Sequence, residues 1–245
     1  MPLLETRALS RTFGGLKAVD AVDLALSAGE ILGVIGPNGA GKTTLFSLIA
    51  GSLPPSAGQV LLDGRSITGV PAHRVVRGGV VRTHQIVRPF ATLSVVDNVA
   101  VAALHAGSRA HGHVRDRAGE VLEFVGLSDR AGDMPGSLTL AGRKLLELAR
   151  ALATAPRVLL LDEVIAGVNL AEAMALAALV RRIRDQRGVA VVMIEHVMPT
   201  VMSLSDRVVV LDHGRKIAEG TPAEVANDPE VIEAYLGPGH RGAHP

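Results

Sequence analysis

The sequence predicts an α/β fold, with a parallel-sheet core, an antiparallel β subdomain and an inserted helical subdomain. Three observations predict it. Three short apolar runs, Ile31 to Ile35, Val158 to Leu161 and Val189 to Ile194, have the length and composition of strands buried on both faces, and helical stretches lie between them. Residues 1–30 alternate apolar and polar positions, as from Lys17 to Leu26, the period of a half-buried antiparallel strand. From about Ile86 to Pro135 the pattern is mostly helical, broken by Gly107, Gly112, Gly126 and Gly136. That stretch, extended through the helix that follows to about residue 155, reads as an insertion into one domain spanning 1–237, with 238–245 a flexible tail.

Each element has a local cause. The run Ile31 to Ile35 ends at Gly36, and a Gly-rich loop leads into a helix from about Lys42 to Ala50, which Gly51 and Pro54-Pro55 stop. Val60 to Leu62 before the turn Asp63-Gly64 reads as a strand end. The polar stretch His105 to Gly119 reads as an exposed loop or helix tip. A helix over Leu145 to Leu152 closes before Pro156, and the strand from Val158 ends at Asp162. Asn169 with Glu172 three residues on forms a capping box for the next helix, which Gly188 ends. Arg207 to Leu211 and Lys216 to Ala218, joined by His213-Gly214, read as a hairpin, and Thr221, Pro222 and Glu224 open a short helix.

Composition removes several function classes. Lys plus Arg number 25 against 24 Asp plus Glu, so the net charge of +1 offers no global field for nucleic acid. The absence of cysteine excludes disulfides, thiolate metal sites and a cysteine nucleophile. Aromatics at 2% leave little for base-stacking platforms. No apolar stretch is long enough to cross a bilayer; Ala173 to Val180 comes nearest and is stopped by Arg181-Arg182. Met1 to Arg11 carries Glu5, Arg7 and Arg11 and lacks a signal peptide's apolar core.

Two motifs carry chemistry. Gly36-Pro37-Asn38-Gly39-Ala40-Gly41-Lys42-Thr43 matches G-x-x-x-x-G-K-[ST], after a strand and before a helix, as a phosphate loop requires. Gly39 and Gly41 let the backbone curl so that successive N–H groups face a polyphosphate at a positive helix end. Lys42 adds charge for the outer phosphates and Thr43 offers a hydroxyl to Mg²⁺. The core is therefore that of a P-loop NTPase. Asp162 and Glu163 stand at the C-terminal end of a buried strand, the edge where open parallel sheets bind ligands. Asp162 suits the orientation of Mg²⁺, and Glu163 suits polarisation of an attacking water.

With further motifs in order, the chain resembles the ATP-binding cassette (ABC) proteins over nearly its whole length, from about Leu3 to Gly237. Phe13 stands where the family carries its A-loop aromatic, Gln85 at the Q-loop, Leu138-Thr139-Leu140-Ala141-Gly142 at the signature, Ala166-Gly167-Val168-Asn169 at the D-loop, and His196 at the switch histidine. Val81-Arg82-Thr83-His84-Gln85, Leu138 to Arg150, Leu161 to Val164 and the ending Asp228 to Gly237 are similar to the ATPase subunits of branched-chain amino acid importers, the LivG type. There are departures. Leu140, Ala141 and Gly142 replace the two glycines and glutamine of the widespread L-S-G-G-Q, Val164 replaces a proline, Asn169 an aspartate, and His84 a phenylalanine.

The resemblance implies an ATPase with ATP and Mg²⁺ as its ligands. Phe13, Val19, Gly36, Asn38, Gly39, Ala40, Gly41, Lys42, Thr43 and Thr44 would contact ATP; Thr43, Gln85 and Asp162 would serve the metal; Glu163, His196 and Gln85 would act in catalysis. Thr139, Leu140, Ala141 and Gly142 would cover the nucleotide of a second ATPase subunit, a paralogue or a second copy, in a head-to-tail dimer, with Ala166, Gly167 and Asn169 at the same interface. Membrane-spanning permease subunits would dock near Ile86 to Phe90, a solute-binding protein would act indirectly, and the chain would lie peripherally on the cytoplasmic face of the membrane without binding nucleic acid. The solute would be a branched-chain or other hydrophobic amino acid. A urea or amide importer, or a soluble motor ATPase not coupled to transport, would use the same motifs. A GTPase would need N-K-x-D, which is absent.

Other residues read as structural. His105, His111 and His113 have no carboxylate cluster or cysteine nearby and suit a solvated loop. Arg181, Arg182, Arg184 and Arg187 sit near a helix C-terminus, where cations favour the dipole, and read as a solvated face. Met193, Met198 and Met202 suit core or interface packing.

Overall fold

The computed structural model describes residues 1–83, 88–104 and 111–237, with the backbone alone at 111–113. In chain order the elements are β1 (Leu4–Phe13), β2 (Leu16–Leu26), β3 (Ile31–Ile35), α1 (Lys42–Ile49), β4 (Ala57–Leu62), β5 (Arg65–Ser66) and α2 (Ala72–Arg77). There follow β6 (Val80–Arg82), α3 (Val95–Ala103), α4 (His111–Val125), α5 (Leu140–Ala153), β7 (Val158–Asp162) and α6 (Leu170–Arg187). The chain closes with β8 (Ala190–Ile194), α7 (Met198–Leu204), β9 (Arg207–Asp212), β10 (Arg215–Gly220), α8 (Pro222–Ala226) and α9 (Pro229–Leu236). They group into two compact units, one of residues 1–72 and 190–245 and the other of residues 73–189.

The first unit holds two sheets. One is antiparallel in the order β2-β1-β4-β5, with Leu4 opposite both Leu26 and Leu62. Alternation buries Leu4 and Thr6 opposite Leu26 and Leu24, and a register shift between Thr6 and Leu9 brings Leu9, opposite Val22, into the same buried set. In the other, the order β10-β9-β3-β8 puts β3 between two parallel neighbours, Leu32 facing Val192 on one side and Val34 facing Val209 on the other. Every residue of β3 and β8 is buried, which accounts for their unbroken apolar runs. Gly33 allows α7 to approach β3: a methyl there would lie 2.6 Å from the Ser205 hydroxyl. The β9–β10 hairpin turns through His213 and Gly214, both at positive φ, as a two-residue turn matched to strand twist requires. The capping box at Thr221 and Glu224 opens α8 as expected.

In the second unit β6 pairs with β7 in parallel, Arg82 opposite Leu160. Helices α3, α4 and α5 pack on one another. Asn98, fully buried in α3, binds the backbone of Phe90, Leu93 and Ser94 and so shapes the chain leading into that helix. The Asn169–Glu172 capping box and left-handed Gly188 bound α6 as the sequence indicates.

Several expectations change. The stretch 111–119, read as an exposed loop or helix tip, forms the first half of α4, whose later turns bury Val121, Leu122 and Val125; residues 105–110 lie outside the described residues. The helix read as continuing through Leu145 to Leu152 starts at Leu140, where the Thr139 hydroxyl caps it. The arginine cluster is not simply solvated: the guanidinium groups of Arg182 and Arg187 lie 4.8 and 4.5 Å from the centre of the Phe124 ring. Met193 is wholly buried, as expected of core packing.

Candidate functional site

In the first unit, β3 delivers Gly36 into the loop that opens α1. Gly36 and Gly41 have no substitute here. A methyl on Gly36 would meet the Leu211 carbonyl at 2.0 Å, and one on Gly41 the Ala18 carbonyl at 2.2 Å, both at positive φ. Backbone bonds anchor the loop: Gly214 N–H donates to Ala40 O at 3.1 Å, and Asp20 N–H donates to Gly214 O at 2.8 Å. Gly41, the N-cap of α1, offers no side chain to the first-turn N–H groups of that helix. Lys42 is buried, and its ammonium donates to Gly36 O at 2.7 Å and Pro37 O at 3.0 Å, laying its charge across the loop.

Around this loop Asn38, Gly39 and Thr43 are exposed, Thr44 is half-buried and Ala40 is buried. Val19 is fully buried in β2, which leaves it no side-chain surface for a nucleotide. Phe13 is 44% exposed at the end of β1, and the Arg11 guanidinium sits 4.7 Å from its ring centre, covering one face. His196 is exposed just beyond β8. Tyr235 of α9 lies beside the loop; burial raises the phenol's pKa, and the nearby Gly36 backbone partly offsets the rise. A cavity of about 1040 Å³ borders Pro37 to Ala40 on the α9 side. Asp212, Glu230 and Glu233 line it, and their charge makes that side unfavourable to an anion.

In the second unit, β7 ends in the acid pair. Asp162 is 2% exposed, and its Oδ2 accepts from Arg82 Nη2 at 2.6 Å. Thr83 extends the same ladder, its N–H donating to Leu160 O at 2.9 Å and its hydroxyl accepting from Asp162 N–H at 3.3 Å. Glu163, half-buried, has φ of 53°, in the left-handed region a non-glycine residue seldom enters. Its carbonyl accepts from Lys144 Nζ at 3.0 Å.

The signature positions form the start of α5, and the D-loop positions form the turn that Asn169 closes as the N-cap of α6. Thr139 caps α5, its hydroxyl accepting from Gly142 N–H at 3.1 Å, while Leu140 is 49% exposed and Ala141 half-buried. Asn169 spends its side chain on Glu172 N–H at 3.0 Å, Ala166 is half-buried, and Gly167 is exposed at φ of 79°. Gln85 lies outside the described residues. Among the described residues no three His, Cys, Asp or Glu side chains cluster as a metal cage, and no helix is long and apolar enough to cross a membrane.

Sequence reasoning assigned no role to Arg82 or Lys144. For Lys144 a signal exists: with Leu148 and Ala151 it falls at i, i+4 and i+7, the buried stripe of α5. For Arg82 the pairing with Asp162 spans 80 positions and has no local mark.

Comparison with known proteins gives a consistent result. The family described as "ABC transporter" matches residues 19–166, and "Branched-chain amino acid ATP-binding cassette transporter" matches residues 215–239. The chain is 40% identical, over 96% of its length and 98% of the relative's, to the high-affinity branched-chain amino acid transport ATP-binding protein BraF of Pseudomonas aeruginosa. The same figures hold for LivG of Escherichia coli, which bears the same description. Among solved structures, a nucleotide-free ATP-binding cassette from an ABC transporter superposes with a TM-score of 0.89 at 31% identity, covering 97% of this chain and 100% of its own.

Proposed function

Because the chain belongs to the ABC transporter family of ATP-binding cassettes, we propose that it is the subunit that binds and hydrolyses ATP to power an importer of branched-chain amino acids. ATP hydrolysis belongs to the family; the solute and the roles of individual residues are our reading. The observation that carries it is the loop from Gly36 to Thr43, where the start of α1 has no side-chain cap and Lys42 lies across the carbonyls. Such a loop offers a positive helix end, backbone N–H groups and a lysine cation to a triphosphate.

The roles follow from chemistry. The backbone of Asn38, Gly39, Ala40 and Gly41 binds phosphate oxygens, and Lys42 turns from its loop carbonyls to the outer phosphates. Phe13 stacks on adenine with the ring face that Arg11 leaves open. Glu163 orients and deprotonates the attacking water, and His196 hydrogen-bonds the outermost phosphate. Mg²⁺, when bound, neutralises charge on the phosphates. Thr43, Gln85 and Asp162 would hold it, a hydroxyl, an amide and one carboxylate. This oxygen set fits an ion that takes its remaining ligands from phosphates and water and needs no cage of three acids.

The start of α5, Thr139 to Gly142, and the turn into α6, Ala166 to Asn169, serve a second ATPase subunit arranged head to tail, completing the nucleotide cover that one chain lacks. Phe90, 46% exposed beside the Arg150 guanidinium, belongs to the segment that meets the permease. The chain then sits peripherally on the cytoplasmic side. ATP closes the pair through contacts that hydrolysis removes. The amino acid assignment rests on the BraF and LivG likeness and on the match at 215–239.

The test is reconstitution. The complex that co-purifies with this chain from detergent-solubilised membranes is placed in liposomes, and ATP hydrolysis is followed with its solute-binding protein loaded with leucine, acetamide or urea. Stimulation by leucine is expected. Stimulation by urea or acetamide alone would overturn the amino acid assignment, and the absence of any membrane subunit would overturn coupling to transport.

A further inference from the structure

We propose that Lys144 is a positioning residue for Glu163, tying the backbone of the water-activating acid to the helix that carries the signature segment. The inference rests on the reading of Glu163 given above. Three observations carry it. Glu163 occupies the left-handed region at φ of 53°, which disfavours any side chain with a Cβ, so something must hold it there. Lys144 is 5% exposed, and an ammonium group withdrawn from water needs acceptors. Its Nζ donates to Glu163 O at 3.0 Å, a charge-assisted bond to the very residue whose backbone is unusual.

The turn after β7 makes the arrangement directional. Ala166 N–H also donates to Glu163 O, at 3.4 Å, so the carbonyl is the pivot of the turn that leads toward the D-loop. Rotating Glu163 out of the left-handed region would swing this carbonyl away from both donors and redirect the carboxylate. Lys144 therefore fixes where the carboxylate points by holding the Glu163 backbone.

Lys144 also stands on the same rigid helix as the signature segment. From the Thr139 cap to Lys144 is roughly 7.5 Å along the axis of α5, and the first turn between them is locked by the Thr139 hydroxyl. A displacement of Thr139 to Gly142, when a second subunit's nucleotide is engaged, moves Lys144 with it. The Glu163 carbonyl follows. The contact is thus a strut by which engagement of the signature segment sets the geometry of this chain's own Glu163.

Lys144→Met and Lys144→Arg, made in the assembled transporter, separate positioning from folding. Steady-state hydrolysis gives kcat and KM, and a fluorescent ATP analogue gives affinity without turnover. Lys144→Met is expected to lower kcat by about tenfold to a hundredfold, the scale of a small misplacement of a catalytic group, with KM and analogue affinity nearly unchanged. Lys144→Arg, which keeps a charged donor of similar reach, is expected to restore most of kcat. A Lys144→Met enzyme with parental kcat, or one whose affinity falls as much as its kcat and which arginine does not rescue, overturns the proposal. Should Lys144→Met fail to fold, Lys144→Gln carries the same comparison. Glu163→Gln is assayed alongside. If it turns over normally, the reading of Glu163 fails; if it is inactive while Lys144→Met is not, only the strut fails.

Discussion

Arg82→Met tests the buried ion pair beneath the acid pair. Asp162 is 2% exposed and the Arg82 side chain 10%, with 2.6 Å between Oδ2 and Nη2. Methionine fills much of the same volume but leaves the carboxylate without its guanidinium in a place that water scarcely reaches. Breaking a buried pair on one side costs about 3–5 kcal/mol. For a chain of this length each kcal/mol moves the unfolding midpoint by about 2–4 °C, so the expected drop is roughly 6–20 °C. Calorimetry on the purified protein, with denaturant unfolding beside it, reads this directly. The double variant Arg82→Met with Asp162→Asn removes the orphaned charge as well, and most of the loss should return, leaving about 1–3 kcal/mol for the unsatisfied amide. Arg7→Met provides the control, since the Arg7–Glu5 pair is open to solvent and screened. A shift for Arg82→Met no larger than that of Arg7→Met would refute the reasoning. So would a double variant less stable than the single one.

Two further outcomes follow from the first unit. Gly41→Ala puts a methyl 2.2 Å from the Ala18 carbonyl at φ of 99°, so the loop must move. ATP affinity, read with a fluorescent analogue, should fall at least tenfold while the far-UV circular dichroism stays unchanged. Glu224 is held below its usual value of 4.5, first by the backbone N–H of Thr221 and then by its hydroxyl. A depressed carboxylate favours the folded state above its unfolded pKa, and that contribution is lost as pH falls through the folded value. Thr221→Ala removes the hydroxyl and keeps the N–H, so a carbon-13 NMR titration should find Glu224 titrating higher than in the parent but still below 4.5.

What could be read from the sequence was what local physics determines. β3, β7 and β8 announce themselves because strands buried on both faces must be largely apolar, and in all three every residue is buried, Asp162 at the end of β7 being the one charged exception. The starts of α6 and α8 were legible because a capping box needs only residues three apart. The phosphate loop was legible because its glycines, lysine and threonine are contiguous. Other elements carry weak local marks. Of the residues in α2 only Val75 is buried, β6 is three residues long, and α7 contains Pro199 in its first turn. Their places are set by partners far along the chain. The partners of Lys144 and Arg82 eluded the sequence for the same reason, since each acts on a residue that the fold alone brings near, although the helical stripe marks Lys144 as buried. The arginines of α6 read as a solvated face because the ring they cover, Phe124, belongs to α4.

Replacement of Glu163 by glutamine, with ATP binding and ATP hydrolysis measured on the same assembled preparation, bears most directly on the role of the acid pair. The amide keeps the shape of the side chain and removes its ability to take a proton. The account predicts nucleotide affinity within about twofold of the parent and turnover reduced by about a hundredfold or more, the share general-base assistance commonly supplies. Hydrolysis at the parental rate would contradict it.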